Sequence, residues 1–252
     1  MSEFKNPAIA ALTKRINPKL IWGQALLRNT DESRFELRHV EDTNAEAESL
    51  GQAQLDDLRS LAETNALGQF RPIKTAPNLR SGWLCVVNGL AELETALRHL
   101  YPGSVADWYA TELGQAQPTD YRKFTERQTG MYRITAKLTP KQAKPAAAAC
   151  CHPASCLKQR RWTVDDLAAD DSGAKSAIPC LEPCALMLEF ARGVFRFEQH
   201  NGTIDEMTEE DQRNLLLAAE LAAEQAGTPN READFAAPAN PRWMRYLRMR
   251  LS

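Results

Sequence analysis

Apolar positions recur at two different periods in the first half of the chain. "KLIWGQALLR" and "RFELRHVE" flank the polar stretch "NTDES", and Phe35 and Leu37 alternate with Glu36 and Arg38. A period of two turns one face to a core and the other to water, so this segment predicts a half-buried β-hairpin. Leu55, Leu58, Leu61 and Ala62 instead fall on one helical face, as do Leu90, Leu93, Ala96, Leu97 and Leu100 ahead of the breaker "YPG". "SVADWYATELG" predicts a further helix, whereas "LGQFRPIKTAPNLRSGWLCVVN" mixes loop and strand signals. The first half reads as a small mixed α and β domain.

The second half follows a helical rhythm. "RQTGMYRITAKL" reads as a loop entering a strand, and "TPKQAKPAAAA", which is Pro-containing and low in complexity, reads as a linker over residues 138–149. From Pro183 onward, Leu186, Met187, Phe190, Val194 and Phe197 have helical spacing, with proline suited to the first helical position. Thr208 before Glu209, Glu210 and Asp211 predicts an N-cap with an acidic first turn, opening a helix that ends at Gly227. The expected fold class is α+β: a mixed domain over 1–137, the linker, and a mostly helical domain over 150–252.

Composition narrows the function classes. The 252 residues are 43% hydrophobic and 25% charged with a formal charge of -2, so no global basic field points to nucleic acid or an anionic membrane. The longest apolar runs are far shorter than a membrane span, and "MSEFKNPAIAALTKR" lacks the pattern of a secretory signal, which predicts a cytoplasmic protein. In that reducing setting, clustered cysteines point to metal or redox chemistry more than to disulfides.

Five of the six cysteines crowd into "CCHPASCLKQRRW" and "IPCLEPC". Four residues separate Cys151 from Cys156, three separate Cys180 from Cys184, and 23 lie between the pairs. Two local pairs from separate segments can enclose one soft metal centre. Structural zinc usually takes tight C-x2-C knuckles, so the longer spacers favour a [4Fe-4S] cluster, with zinc as the alternative. Cys150 and Cys151 are too close for both to be corner ligands. Cys151 is the expected one, because Cys150 continues the alanine run. His152 stands beside the ligands as a possible replacement.

Lys158, Arg160 and Arg161 follow a candidate ligand and either neutralise an anionic cluster or form a solvated turn. N–H groups of the helix after Cys184 can face sulfur, and Trp162, Leu186 and Phe190 can exclude water. Cys85, alone in "WLCVV", reads as a buried hydrophobe.

In "APNLRSGW", "RQTGMYR", "CCHPASCLKQRRW" and "IPCLEPCALMLEFAR", in that order, the chain resembles the iron–sulfur portion of Deinococcus-type cobalt-chelatase-like proteins. The resemblance spans residues 18–200 or so. It implies a stabilising domain near residues 20–135 and cluster ligation by Cys151 or Cys150, Cys156, Cys180 and Cys184. It also implies a protein partner of redox or chelatase-like type, with a tetrapyrrole as a possible ligand. Chelatase activity does not carry over. The stabilising and cluster modules leave no room for a chelatase α/β domain, and His39, His99, His152 and His200 are scattered without paired spacing. No general base, nucleophile or phosphate-binding loop stands out, so the chain is not expected to be an enzyme on its own.

Two arginine-rich regions remain. Arg71, Lys74, Arg80, Arg127 and Arg133, with Asn78, Gln128 and Tyr132, either form an anion pocket or, with Trp83, brace the two domains. Arg242, Arg245, Arg248 and Arg250 of "RWMRYLRMRLS" are expected on a solvated face or docked onto the acidic "DEMTEED" stretch rather than on nucleic acid.

Overall fold

Asn6 accepts the N–H of Ala8 at 3.0 Å and so starts the chain's first helix. The structure, a computed structural model, describes residues 6–31, 33–63, 79–169, 177–200, 202–225 and 240–251. The chain divides into two units, with the main boundary between Gln117 and Pro118; Leu157–Gln159 belongs to the first unit, and Arg160 and everything described from Cys180 onward belong to the second.

Helix α1 (Pro7–Thr13) precedes a five-stranded sheet of β1 (Lys19–Trp22), β2 (Ala25–Asp31), β3 (Arg34–His39), β4 (Gly51–Gln52) and β5 (Trp83–Asn88), ordered β1-β2-β3-β5-β4. The expected hairpin is β2 with β3, and Leu27 lies opposite Leu37, which lies opposite Cys85 on β5. "KLIWGQALLR" holds two strands rather than one, because Gly23 adopts a φ of +64° that only glycine takes without strain. Helices α2 (Asp57–Glu63) and α3 (Gly89–Leu100) bury the predicted faces at Leu58, Ala62, Leu93, Ala96, Leu97 and Leu100, and α4 (Ser104–Glu112) adds Trp108 to the same core. Trp22 meets Trp108 edge-on at 6.0 Å, and its indole N–H donates to Ser104 Oγ at 3.0 Å.

The second unit begins with α5 (Tyr121–Glu126) and then departs from the sequence reading twice. The strand expected in "RQTGMYRITAKL" is a 3-10 helix over Gly130–Lys137, in which the Thr135 hydroxyl donates back to the Tyr132 carbonyl at 2.7 Å. The linker expected over 138–149 is helix α6 (Pro140–Cys150). Pro140 sits in its first turn, Thr139 and Gln142 form a capping box, and alanine is the best helix former. The alanine run signals close packing: Ala143, Ala146, Ala147 and Ala149 are fully buried, since methyl side chains let neighbouring helices approach.

The two-residue strands β6 (Gln159–Arg160) and β7 (Pro179–Cys180) pair with each other, followed by α7 (Ala185–His200), α8 (Glu209–Gln225) and α9 (Pro241–Leu251). Thr208 caps α8 by accepting the N–H of Asp211 at 3.1 Å. The predicted stop at Gly227 lies outside the described residues, as do Arg71, Lys74 and Asn78. Where α6, α7 and α9 meet, Glu198 is buried with its carboxylate accepting from Gln142 at 2.7 Å, from the Tyr246 hydroxyl, and from Arg250 at 3.3 Å. No described helix is long and apolar enough to cross a membrane.

Two substitutions test these constraints. A Cβ at Gly23 would stand 2.3 Å from the Tyr101 ring. Gly23→Ala should therefore cost about 2–4 kcal/mol, read as a lower midpoint in chemical denaturation. Glu198→Ala leaves the buried donors of Gln142 and Tyr246 without their acceptor and Arg250 with Asp205 alone, and should cost about 3–5 kcal/mol in the same measurement, with Glu198→Gln losing less.

Candidate metal centre

The cysteines reach one region of the second unit from four backbone positions. Cys150 is the last residue of α6, and Cys151 follows as its C-cap, its N–H donating to the Ala147 carbonyl at 2.9 Å. The chain then turns tightly: the N–H groups of both Ser155 and Cys156 donate to the His152 carbonyl at 2.9 Å. Cys180 arrives on β7, where its carbonyl accepts the Arg161 N–H at 3.0 Å. Cys184 accepts the N–H of Leu188 at 3.0 Å, so it stands at the N-cap of α7. The helix thus begins at Ala185, not at the proline expected to open it, and Pro183 only leads into the cap. The first-turn N–H groups of α7, which have no acceptor within the helix, follow directly after Cys184.

Cys150, Cys151 and Cys180 are buried in the hydrophobic core of this unit, and Cys184 packs against it half-buried. A hydrogen bond with the Cys150 thiol, followed by burial and the proximity of Cys150, Cys156 and Cys180, holds the Cys151 thiol well above the ordinary thiol range. Four of the five thiols therefore share one electrostatic neighbourhood. The thiol of Cys180 donates to the Glu182 carbonyl at 3.1 Å. Among the described residues, no three histidine, cysteine or acidic side chains converge as a single metal ion would require. An all-sulfur donor set is that of structural zinc or of iron–sulfur ligation.

The indole of Trp162 lies wholly within the same core, stacked 6.1 Å from Tyr121, and its buried Nε1 has no hydrogen-bond partner among the described residues. Phe190 is buried there and Leu186 partly buried, in line with the expected apolar shield.

The three cations take different places. Arg160 is buried over the Trp162 ring, and its guanidinium donates to the carbonyls of Trp162 and Ala168, both at 2.6 Å, which braces the loop after β6. Arg161 is half-buried. Lys158 belongs to the first unit, where its charge partly offsets the burial that raises the Asp107 carboxyl. His152 is exposed, with Nδ1 accepting the N–H of Ala154 at 3.2 Å in its own turn. Of the wider arginine set, Arg80 lies in the first unit; Arg127 and Arg133 are exposed in the second, and Tyr132 there lies under the Arg192 guanidinium at 5.7 Å.

Ser155, which carries no sequence signal, is buried within the cysteine turn. Arg242 and Arg245, expected on a solvated face or on the acidic "DEMTEED" stretch, instead bind that turn from α9. Their acceptors are mostly backbone carbonyls, which carry no sequence signature. The only hint was arginines interleaved with Trp243, Met244 and Tyr246 with no acid nearby.

A thiol-lined centre in a helical unit, joined to a small mixed sheet unit, defines a protein of the cluster-binding class. The comparisons particularise it. The DR2241 stabilising domain matches residues 6–112, and the 4Fe-4S iron-sulfur cluster binding domain matches residues 113–193. The chain carries these two domains of the DR2241 type. It is similar to the crystal structure of DR2241 from Deinococcus radiodurans, described as a multi-domain protein with structural similarity to chelatases and two additional novel domains. The identity is 31% and the TM-score 0.64, over 76% of this chain and 41% of that one. No curated protein matches.

The first core supplies a control for the thiols of the second. Cys85 is buried there on β5, its thiol pushed up to about 11 by burial and then by Asp57 and Glu92. Iron analysis should find the metal lost in Cys156→Ser, Cys180→Ser and Cys184→Ser and retained in Cys85→Ser.

Proposed function

We propose that Cys151, Cys156, Cys180 and Cys184 are the four ligands of the [4Fe-4S] cluster, and that the protein serves a metal-handling, chelatase-like system as an electron-transfer or structural accessory. The observation that carries the ligand assignment is the shared neighbourhood of the Cys151, Cys156 and Cys180 thiols beside the capped start of α7 at Cys184. Cys150 hydrogen-bonds to Cys151 from within α6 and remains outside the ligand set. Ligation requires thiolates, so loading the site releases protons.

When bound, such a cluster supplies one-electron redox chemistry at a potential set by charge, hydrogen bonds and solvent access. Four protein thiolates leave no open iron position, which favours electron transfer or structure over Lewis-acid chemistry. The protein's own residues exclude water through Trp162 and Phe190, brace the approach to β7 through Arg160, and present the N-terminal end of α7 to anionic sulfur. The chelatase-like setting is supported by the likeness to DR2241. A redox protein or chelatase subunit is the expected partner, and a tetrapyrrole would reach this chain through it.

Anaerobic purification tests the reading. The expected product is brown, absorbs broadly near ~400 nm, and holds iron and acid-labile sulfide in equal amounts. Cys151→Ser should lose both, and Cys150→Ser should keep them. A colourless protein with one equivalent of zinc would make the site a structural staple instead.

A further inference from the structure

We infer that α9, which lies outside the matched cluster domain, is part of the cluster site: Arg242 and Arg245 are positioning residues that clamp the cysteine turn and set its electrostatics. This rests on the cluster reading above and extends it to residues that no family match covers, because the 4Fe-4S domain match ends at residue 193.

Arg242 is 1% exposed, and its guanidinium spans the turn, donating from Nε to the Cys150 carbonyl at 3.3 Å and from Nη2 to the Ser155 carbonyl at 2.8 Å. Arg245, one helical turn later, donates from Nε to the Ala149 carbonyl at 3.2 Å and from Nη2 to the Ser155 hydroxyl. The two side chains thus grip both ends of the segment that carries Cys151 and Cys156. The grip is held in place, since Trp243 and Tyr246 anchor α9 in the core against Phe190 at 5.3 and 6.2 Å.

The clamp has an electrostatic side. Carbonyls at a helix C-terminus present partial negative charge, and α6 ends at the cysteines. A cluster held by four thiolates is anionic as well. Without donors, two negative ends would face each other in a low-dielectric core. Two guanidinium groups satisfy those carbonyls and place fixed positive charge beside the turn, which favours the reduced, more negative state. Arg248, on the same helix, is 63% exposed and paired with Glu220, so it adds equal formal charge without touching the turn.

The full-length protein, purified anaerobically, is titrated potentiometrically with detection by electron paramagnetic resonance, and cluster loss in air is timed. Arg245→Gln should lower the equilibrium constant for one-electron reduction about tenfold, which is about 59 mV. Arg245→Lys should hold it within threefold, and Arg248→Gln should leave it unchanged. Arg242→Gln should bleach about tenfold faster; if that variant fails to fold, the Arg245 pair decides alone. Loaded variants whose potential and bleaching rate equal those of the wild type would overturn the clamp while leaving the cluster intact. Wild-type protein without iron and sulfide would overturn the cluster reading, and the clamp with it.

Discussion

The second unit depends on how it accommodates one buried carboxylate. Glu198 sits where α6, α7 and α9 cross, and a charge there is tolerable only because Gln142, Tyr246 and Arg250 all donate to it. Each donor comes from α6 or α9, while the acceptor belongs to α7, so satisfying the charge fixes the three helices in one register. Arg250 also reaches Asp205 at 3.2 Å, which ties the turn after α7 into the same network. Register at this end determines position at the other. The far ends of α6 and α7 are where Cys150, Cys151 and Cys184 sit, and α9 runs from the cysteine turn at Arg242 to the carboxylate at Arg250.

The same logic explains why a protein of ordinary composition builds a core around thiols. Cysteine is small and apolar when protonated, so Cys150, Cys151 and Cys180 pack among alanines and aromatics without penalty. Ionising them there is unfavourable unless cations arrive, and burial thereby makes the site selective for a group that brings its own positive charge. The alanine run serves that arrangement by letting α7 and α9 approach α6 closely.

Much of this was legible in the letters. The leucine spacings of α2 and α3, the hairpin of β2 and β3 and the cap at Thr208 all carry local signals that tertiary structure did not override. The failures share a cause. The two prolines and low complexity of "TPKQAKPAAAA" point to a linker, but one proline sits in the first turn, and the buried alanine packing outweighs the lost hydrogen bond and ring clash of the other, Pro145. "MYRITAK" alternates like a strand, yet it meets no partner strand among the described residues and coils into a 3-10 helix. Arg242 and Arg245 are legible in the sequence as charges but not as donors to carbonyls, since a main-chain acceptor has no residue type.

The order of parts along the polypeptide has a consequence for biogenesis. During synthesis the cysteine turn emerges first, Cys180 and Cys184 later, and α9 only after a further long stretch. An iron–sulfur donor meeting the nascent chain would find two of the four proposed ligands until the segment with Cys180 and Cys184 emerges just ahead of α7. Even a complete set would rest on an unsecured turn until α9 docks. Maturation is thereby pushed past the emergence of α9, whose docking onto the cysteine turn can seal the centre against oxygen.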